Sequence, residues 1–376
     1  MQSFPYKAIY TCTPRAFPAD GWFYMRDTGM LSRVLRDMGV ESKVIMPLPW
    51  QEGDIRDEHL VRASMRQLST VEWWRGLGID GVVLYSWGDI RYNLVARAIR
   101  KAGLKLVIHM DTDGVLPAWR EPDFPWHPAS WYKLVRNIIY DLFRPRHLSY
   151  AHAITCSREL EEHLRHRLFY GEKIARLCHE LPTPVHPRFA YYGTAKQERV
   201  VCIGQWDEYA KRQEFMMETL GLFLGLNPHA KVDICGRPTP ELQAWHAALP
   251  PQQRERVDLA GFVDNKDLPA LYNRAMVSLC TSRSEGTSIA SAEALCCGCS
   301  IVAANRTEKL RIVHGYIRRS AGSISEEDTP ESVARALEDE LAAWRNGERD
   351  AAHISAQWQS IFHADKALKR VFNALA

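Results

Sequence analysis

The stretch "MVSLCTSRSEGTSIASAEALCCGCSIVAAN" (276–305) contains the repeating unit of the fold in one piece. It opens with a short, largely apolar run (276–282), continues through a turn of small and charged residues (283–288), and then has helix-forming composition up to a glycine (289–298). A second apolar run follows at 300–305. Short apolar runs of this kind are typical of strands covered on both faces of a parallel sheet. The stretch therefore predicts a strand, a turn, a helix and a second strand.

The same alternation extends along the chain and predicts ten strands. They lie at 7–12, 42–48, 81–87, 105–111, 151–157, 199–205, 231–236, 256–262, 276–282 and 300–305. Between them lie helix-period segments such as 28–39 and 92–103, which end at Gly39 and Gly103. Glycine is a common helix stop because it adopts positive φ without strain. Strands alternating with helices predict a doubly wound α/β architecture.

The chain is long enough for two domains, since 376 residues exceed the ~250–300 that one core usually supports. The segment "ELPTPVHPRFAYYGTAKQER" (180–199) holds three prolines and a glycine and keeps no strand or helix pattern. We therefore predict an N-terminal Rossmann-like domain at 1–190 and a second at 191–345, with terminal helices at 346–376 that cross back to the first domain. Two such domains would face each other across a ligand-binding cleft.

Composition limits the classes of function. A hydrophobic content of 46%, a charged content of 25% and a net charge of +3 are ordinary for a globular protein and do not indicate nucleic-acid binding. No apolar run approaches the ~20 residues that span a bilayer, and the first residues lack the pattern of an export signal. The nine cysteines are odd in number, and most lie in apolar runs. We expect reduced thiols and a cytoplasmic protein.

The closely spaced Cys296, Cys297 and Cys299 raise the question of a metal site. Zinc sites normally use CxxC-type spacing and a distant second ligand pair, which this sequence does not show. We therefore interpret the three cysteines as packed small side chains.

The turn at 283–288 has the properties of an anion site. It delivers Gly286, Thr287 and Ser288 to a helix N-terminus, where unpaired N–H groups and the helix dipole favour a phosphate. Glu285 stands in the turn and Glu293 inside the helix, on the same side if the first turn is regular. A carboxylate accepts two hydroxyl hydrogen bonds. The arrangement predicts a diphosphate with a polyol at each end, which describes a nucleotide sugar.

These residues resemble a known family. The spacing E-x7-E in "SEGTSIASAEALCCG" resembles the signature of the retaining GT-B glycosyltransferases of family 4. "DLAGFVDNKDLPALYNRAMVSLCTS" and "VVCIGQWDEYAKRQEF" resemble the family's nucleobase and diphosphate segments, and "AHAITCSRELEEHL" resembles the end of its N-terminal domain. The likeness is strong over 195–305 and rests mainly on order and spacing over 1–190. It implies a nucleotide-sugar donor, with UDP- or GDP-sugars expected, and no cofactor.

The resemblance also implies residue roles in donor binding. Glu293 would hold the ribose hydroxyls, Glu285 would face the transferred sugar, and Lys211 would bind phosphate. The donor-binding set comprises Gly21, Gln205, Lys211, Arg212, Gly236, Val263, Glu285, Gly286, Thr287, Ser288 and Glu293.

Two positions depart from the family's pattern. Gln205 stands where the family has an arginine, and an amide can hydrogen-bond a phosphate but cannot neutralise it. Either Arg212 or Arg283 compensates, or the protein binds its donor with weak turnover. The family's N-terminal double glycine is reduced here to Gly21, followed by Trp22.

The first domain would bind the acceptor, and the end of its strand at "IHMDTDG" would reach the reaction centre. Asp111 fits the catalytic position best and His109 second, and Glu285 completes the catalytic set. The resemblance implies transfer with retention and no metal. The sequence "DTD" (111–113) has the form of a metal-binding DxD motif, but it falls in the acceptor half.

Two further interpretations remain open. The segment "WYKLVRNIIYDLFRPRH" (131–147) is amphipathic with a basic face, and it is either a core-packing helix or a peripheral contact with an anionic membrane or a lipid-linked acceptor. The activity favoured is transfer to a glycan, a glycolipid or a small-molecule hydroxyl. The alternatives are a nucleotide-sugar epimerase of the same fold and a two-lobed solute-binding protein, which would normally carry an export signal.

Overall fold

The structure is a computed structural model that describes residues 4–21, 23–86, 92–110, 131, 135, 147–166, 171–307, 309–319 and 322–376. Its contacts divide the chain into two compact units. The first unit comprises Met1–His186 together with Ala364–Ala376, and the second comprises Pro187–His363. The first change of unit falls inside the proline-containing segment 180–199, and the return falls inside the terminal segment 346–376.

The first unit is built on a parallel sheet. Over its described residues the sheet has seven strands, in the order β3-β2-β1-β4-β5-β6-β7. The strands are Ile9–Cys12 (β1), Val44–Pro47 (β2), Leu60–Ala63 (β3), Gly81–Tyr85 (β4), Lys105–His109 (β5), Ala153–Cys156 (β6) and Cys178–Glu180 (β7). The helices are Asp27–Asp37 (α1), Met65–Leu68 (α2), Val71–Gly76 (α3), Tyr92–Lys101 (α4), Arg158–Arg165 (α5) and Gly171–Ala175 (α6).

The second unit repeats this plan. Its described part contains a six-stranded parallel sheet in the order β10-β9-β8-β11-β12-β13. The strands are Gln197–Ile203 (β8), Lys231–Cys235 (β9), Val257–Gly261 (β10), Ala275–Cys280 (β11), Ser300–Ala303 (β12) and Gly322–Ile324 (β13). The helices are Gln213–Leu226 (α7), Pro240–Ala248 (α8), Pro251–Arg254 (α9), Leu268–Arg274 (α10), Ile289–Cys296 (α11), Arg311–Arg319 (α12), Pro330–Arg345 (α13) and Ala351–Phe362 (α14).

The last helix, Ala364–Asn373 (α15), belongs to the first unit although it follows the second in sequence. Its buried side chains Leu368, Val371 and Phe372 join a core that includes Met30 of α1. The backbone N–H of Ala364 donates to the carbonyl oxygen of Val185 at 3.0 Å, so the chain re-enters the first unit close to where it left.

All ten predicted strands are present, and the doubly wound α/β architecture is confirmed. The two predicted helices appear as α1 and α4, and Gly39 and Gly103 beyond their ends have φ of 79° and 87°. Three strands, β3, β7 and β13, were not predicted. All three lie at sheet edges.

The cysteines are free thiols, and Cys296, Cys297 and Cys299 are fully buried. The Sγ atom of Cys299 donates to the carbonyl oxygen of Tyr272 at 3.0 Å. The interpretation of these three cysteines as packed small side chains is confirmed.

Most of the amphipathic segment 131–147 lies outside the described residues. Within the part of the chain that the structure covers, no helix combines the length and the apolar character needed to cross a bilayer.

Candidate functional site

The acidic turn joins β11 to α11 and ends in an unusual backbone conformation. Ser288, at the N-terminal end of α11, has φ of 48° and ψ of 80°, which is left-handed. The helix therefore begins only at Ile289. Glu285 and Glu293 were expected on the same side only if the first turn is regular, and the left-handed Ser288 shows that it is not. The two carboxylates are instead held by separate sets of partners.

The backbone of the turn offers hydrogen-bond donors. Among the described residues, the N–H groups of Gly286, Thr287 and Ser288 form no backbone hydrogen bond. The carbonyl oxygen of Thr287 accepts a bond from the hydroxyl of Tyr316 at 2.9 Å, which fixes the turn from the opposite side. Together with the positive end of the α11 dipole, these N–H groups form a local site suited to an anion.

Glu285 and Lys211 form an ion pair at this turn. The Lys211 Nζ lies 2.7 Å from Glu285 Oε1, and the Ser282 hydroxyl donates to the same oxygen at 2.6 Å. The side chains retain 23% and 14% exposure, so the pair is accessible from one side. Burial disfavours the charged lysine, but attraction to Glu285 and their hydrogen bond outweigh it and raise the pKa of Lys211. Lys211 is therefore a cation held beside the start of α11.

Glu293 is buried on α11 and makes only two long side-chain hydrogen bonds with the residues that the structure describes. Its Oε1 accepts from Asn265 Nδ2 at 3.3 Å, and its Oε2 accepts from the Tyr272 hydroxyl at 3.4 Å. Burial raises the pKa of Glu293 to about 8, against the opposing effects of Asn265, Tyr272 and the charge of Arg188. Both hydrogen bonds are longer than the preferred range. The carboxylate therefore has room for shorter bonds from a ligand's hydroxyl groups.

Gln205 and Gly236 lie at the carboxyl ends of neighbouring strands β8 and β9. Gln205 is exposed, whereas the adjacent Trp206 is buried and donates through Nε1 to the carbonyl oxygen of Cys235 at 3.0 Å. Gly236 has φ of +129°, and a Cβ there would lie 2.0 Å from the carbonyl oxygen of Gly204. Only glycine fits this position. The close packing of the two strand ends is therefore sufficient to account for Gly236.

Arg212 also adopts a left-handed conformation, with φ of 52°, between a short 3-10 turn at Tyr209–Lys211 and α7. Its Nη1 lies 2.6 Å from Asp328 Oδ1, and its guanidinium stacks 3.7 Å above the ring of Phe215. Arg306 binds the second oxygen of Asp328 and donates through Nε to the carbonyl oxygen of Arg283 at 2.9 Å. Asp328 therefore links the segment that carries Lys211 to the acidic turn.

Sequence reasoning did not identify Asn265, Tyr272, Arg306 or Asp328. Asn265 lies within the segment that the resemblance assigned to the nucleobase, which is a usable signal. Asp328 lies in the polar run "SEEDTP" (325–330), where nothing in the sequence distinguishes it from a solvated charge.

The remaining predicted donor residues divide between the two units. Val263 follows β10 in the second unit and is half-buried beside the exposed Phe262. Gly21 belongs to the first unit and occupies an exposed turn ahead of α1. That Gly21 contacts the donor stays a prediction.

His109 ends β5 of the first unit and is fully buried. Its Nδ1 lies 2.8 Å from the hydroxyl oxygen of Thr155, and its ring lies 4.9 Å from that of Tyr85. Burial lowers the pKa of His109 to about 3, so the imidazole is neutral at physiological pH. Asp111 and Asp113 lie outside the described residues. No group of three His, Cys, Asp or Glu side chains that could hold a metal occurs in the part of the chain that the structure describes.

Comparison by sequence places a known domain on the second unit. Residues 197–342 match the model of a family described as glycosyl transferases group 1. A search of curated protein sequences gave no match. The matched range contains Gln205, Lys211, Glu285 and Glu293, and it includes all six strands of the second sheet. The chain therefore carries a glycosyltransferase domain, as predicted.

Comparison by structure covers nearly the whole chain. Sucrose-phosphate synthase from Thermosynechococcus elongatus aligns with a TM-score of 0.59 and 16% identity, over 98% of each chain. The Anabaena protein HepE in complex with UDP-glucose aligns with a TM-score of 0.59 and 14% identity, over 98% of this chain and 99% of that one. A putative UDP-N-acetylglucosamine 2-epimerase from Listeria monocytogenes gives 0.58 and 11%, over 98% and 96%. At these identities the likeness establishes the GT-B fold.

Proposed function

We propose that this chain is a retaining family 4 glycosyltransferase that moves a sugar from a nucleoside-diphosphate sugar to a hydroxyl group on a glycan, a glycolipid or a small molecule. The observation that carries the proposal is the combination at α11. At its start lie N–H groups that form no backbone hydrogen bond among the described residues, the Lys211–Glu285 pair stands beside them, and the buried carboxyl group of Glu293 has weak partners. A diphosphate flanked by two sets of hydroxyl groups matches these three features.

Each feature suits one part of the donor. The start of α11 and Lys211 would bind the diphosphate through charge-assisted hydrogen bonds. Glu293 would accept the ribose hydroxyls, for which its long bonds to Asn265 and Tyr272 leave capacity. Glu285, held by Lys211, would face the transferred sugar. Gly236 and Val263 would lie near the nucleobase, at the ends of β9 and β10.

The donor is proposed to be a UDP-sugar, with GDP-sugars as the second choice. The HepE structure, similar in fold, was determined with UDP-glucose, and this supports the choice of base. The reaction would need neither a metal nor a further cofactor. The positive charge around the diphosphate would stabilise the leaving group as the bond from sugar carbon to phosphate oxygen breaks.

The first unit would bind the acceptor. Asp111 is the first candidate for the polar residue at the reaction centre, and His109 is the second. Retention would follow from attack on the face that the diphosphate leaves, with a leaving phosphate oxygen taking the proton of the acceptor hydroxyl. In this scheme the protein mainly positions the reactants and neutralises charge. We place the activity in the cytoplasm, with contact to the inner membrane face where the acceptor is lipid-linked, and without nucleic acid.

Thermal-shift measurements with UDP-glucose, GDP-mannose and ADP-glucose test donor binding. A cognate donor should raise the melting temperature of the native protein, and Lys211→Ala or Glu293→Ala should remove most of the rise. Lys231→Ala and Glu218→Ala, at exposed positions of the same unit, are the matched controls. Equal stabilisation of both site variants and both controls would disprove the site assignment.

Turnover distinguishes the proposed transferase from its rivals. The epimerase alternative has support from the similar Listeria structure, and the weak-turnover alternative from the uncharged Gln205. An epimerase would convert the donor with no acceptor present, and a binding-only homologue would be stabilised by the donor without consuming it. A transferase should consume the donor only when an acceptor is supplied.

A further inference from the structure

The uncharged Gln205 leaves the proposed diphosphate site with one cation, Lys211, unless another side chain contributes. Gln205 is exposed and follows β8, and its carbonyl oxygen accepts from the backbone of Glu208 at 3.0 Å. A diphosphate carries at least two negative charges. One lysine and a set of backbone N–H groups would compensate them only in part. Three arginines, Arg212, Arg283 and Arg306, lie in the network around Lys211 and the acidic turn.

Arg212 is already committed to other partners. It forms an ion pair with Asp328 and stacks on Phe215, and its side chain is only 11% exposed. Asp328 is shared with Arg306, so the three side chains form a compact network. Withdrawing Arg212 would break its bond to a partly buried carboxylate and would cost more than a surface contact. We therefore interpret Arg212 as a residue that stabilises the segment carrying Lys211.

Arg283 is placed differently. Its backbone N–H donates to the carbonyl oxygen of Ala210 at 2.6 Å, directly before Lys211. It also lies only two positions before Glu285. Arg283 thus stands where the lysine-bearing turn touches the acidic turn: Glu285 is close to it in sequence, and Lys211 follows the residue that accepts its backbone hydrogen bond.

The guanidinium of Arg283 lies over an aromatic ring and keeps donor capacity. Its Cζ lies 4.0 Å above the ring of Tyr209, which is 73% exposed. Its Nε is buried but meets no hydrogen-bond acceptor, and no carboxylate lies within ion-pair distance, among the residues that the structure describes. An unsatisfied buried donor costs free energy. Stacking on an aromatic ring leaves the N–H groups in the plane available for a ligand.

We propose that Arg283, stacked on Tyr209, is the second phosphate-binding cation of the donor site and replaces the arginine that Gln205 lacks. The inference rests on the proposed function, because the ligand is the diphosphate of the donor. The planar fork of Arg283 would donate to phosphate oxygens in pairs, while Lys211 supplies a point charge on the other side. Tyr209 would be a positioning residue that restricts the guanidinium before the donor arrives.

Calorimetric titration of the full-length protein with UDP tests this assignment. Because Arg283 would make charge-assisted hydrogen bonds to the phosphates, Arg283→Gln should weaken UDP binding by about tenfold or more. Arg283→Lys keeps the charge but loses the fork, so it should lie between wild type and Arg283→Gln. Arg335→Gln removes one charge from an exposed position of α13 and should bind UDP as wild type does. Gln205→Arg in the Arg283→Gln chain should recover part of the affinity.

Circular dichroism and the melting temperature of each variant show whether it is folded. If Arg283→Gln does not fold, Arg283→Lys still tests the proposal. A folded Arg283→Gln variant that binds UDP within twofold of wild type would overturn the proposal and leave the proposed function intact. Where only Arg283→Lys folds, affinity for UDP equal to that of wild type would overturn it in the same way. A folded Arg212→Gln variant that loses tenfold while Arg283→Gln loses nothing would assign the role to Arg212. Failure of wild type to bind UDP, GDP or ADP would instead reject the proposed function.

Discussion

Glu293 is the acidic side chain whose burial most affects how the second unit responds to pH. Burial raises its pKa to about 8, against about 4.3 in an unfolded chain. Between these pH values the folded protein holds a proton that the unfolded chain has lost. The contribution of Glu293 to stability is therefore fully present below about pH 4.3, and it is lost as the pH rises through 8.

We predict that the unfolding free energy of wild type, measured relative to Glu293→Gln, falls by up to about 1.4 kcal/mol per pH unit across this range. Urea unfolding at several pH values between 5 and 8 measures the difference. Comparison with the variant is needed because buried histidines such as His314, whose pKa burial lowers, give a slope of the opposite sign. Glu218→Gln, at an exposed helix position, should leave the profile unchanged. Parallel pH profiles for wild type and Glu293→Gln would contradict the prediction.

The sequence identified residues of the site better than it identified their partners. Lys211, Glu285 and Glu293 are visible because each stands at a recognisable place beside a strand or a helix. Their contacts are not visible, since Lys211 and Glu285 are separated by 74 positions and Arg212 and Asp328 by 116. No local pattern specifies which charges meet over such distances. The left-handed backbone at Arg212 and Ser288 was equally hidden, because neither residue type favours it.

The ends of β8 and β9 pack so closely that one glycine decides their spacing. In Gly236→Ala the new Cβ would lie 2.0 Å from the carbonyl oxygen of Gly204, at a φ of +129° that alanine rarely adopts. We expect a loss of at least about 3 kcal/mol in stability, because steric overlap adds to backbone strain. Because the overlapping oxygen belongs to Gly204, relief of the overlap should also displace the neighbouring Gln205.

Gly221→Ala on α7 is the matched control for this substitution. A Cβ at Gly221 meets open space, and alanine is the better helix former by about 0.5–1 kcal/mol. Differential scanning calorimetry should therefore show a lower melting temperature for Gly236→Ala and an equal or higher one for Gly221→Ala. A Gly236→Ala protein as stable as wild type would show that the two strand ends can separate without cost.

Every strand that prediction from the sequence missed lies at a sheet edge, although one edge strand, β10, was predicted. Central strands such as β1, β4, β11 and β12 are buried along their whole length or nearly so, and an apolar run is the direct consequence. The strands that were missed lie at edges and are short. β7 and β13 have three residues each, all half-buried. With one side open to solvent, such strands need no apolar run, and no periodic signal remains.

The chain as a whole forms its first unit from both of its ends. The ring of Phe372 on α15 lies 5.5 Å from that of Phe4 and 5.6 Å from that of Tyr6. The hydroxyl of Tyr6 and the Nζ of Lys105 both donate to the carbonyl oxygen of Leu375, at 2.8 and 2.6 Å. The second unit is thus inserted into the first between His186 and Ala364. The stability of the first unit consequently depends on residues that follow the second unit in the sequence.

Phe372→Ala tests this dependence. The side chain is fully buried, and its removal should cost about 3–5 kcal/mol, because deletion of a buried aromatic leaves a cavity. Hydrogen exchange measured by mass spectrometry reports each unit separately, so protection should fall in β1, β4 and α1 and stay unchanged in β8 and β11. Asn373→Ala, at the adjacent exposed position, should alter neither unit. Loss of protection confined to α15 itself would mean that the first unit is stable without the packing of this helix, and would contradict the prediction.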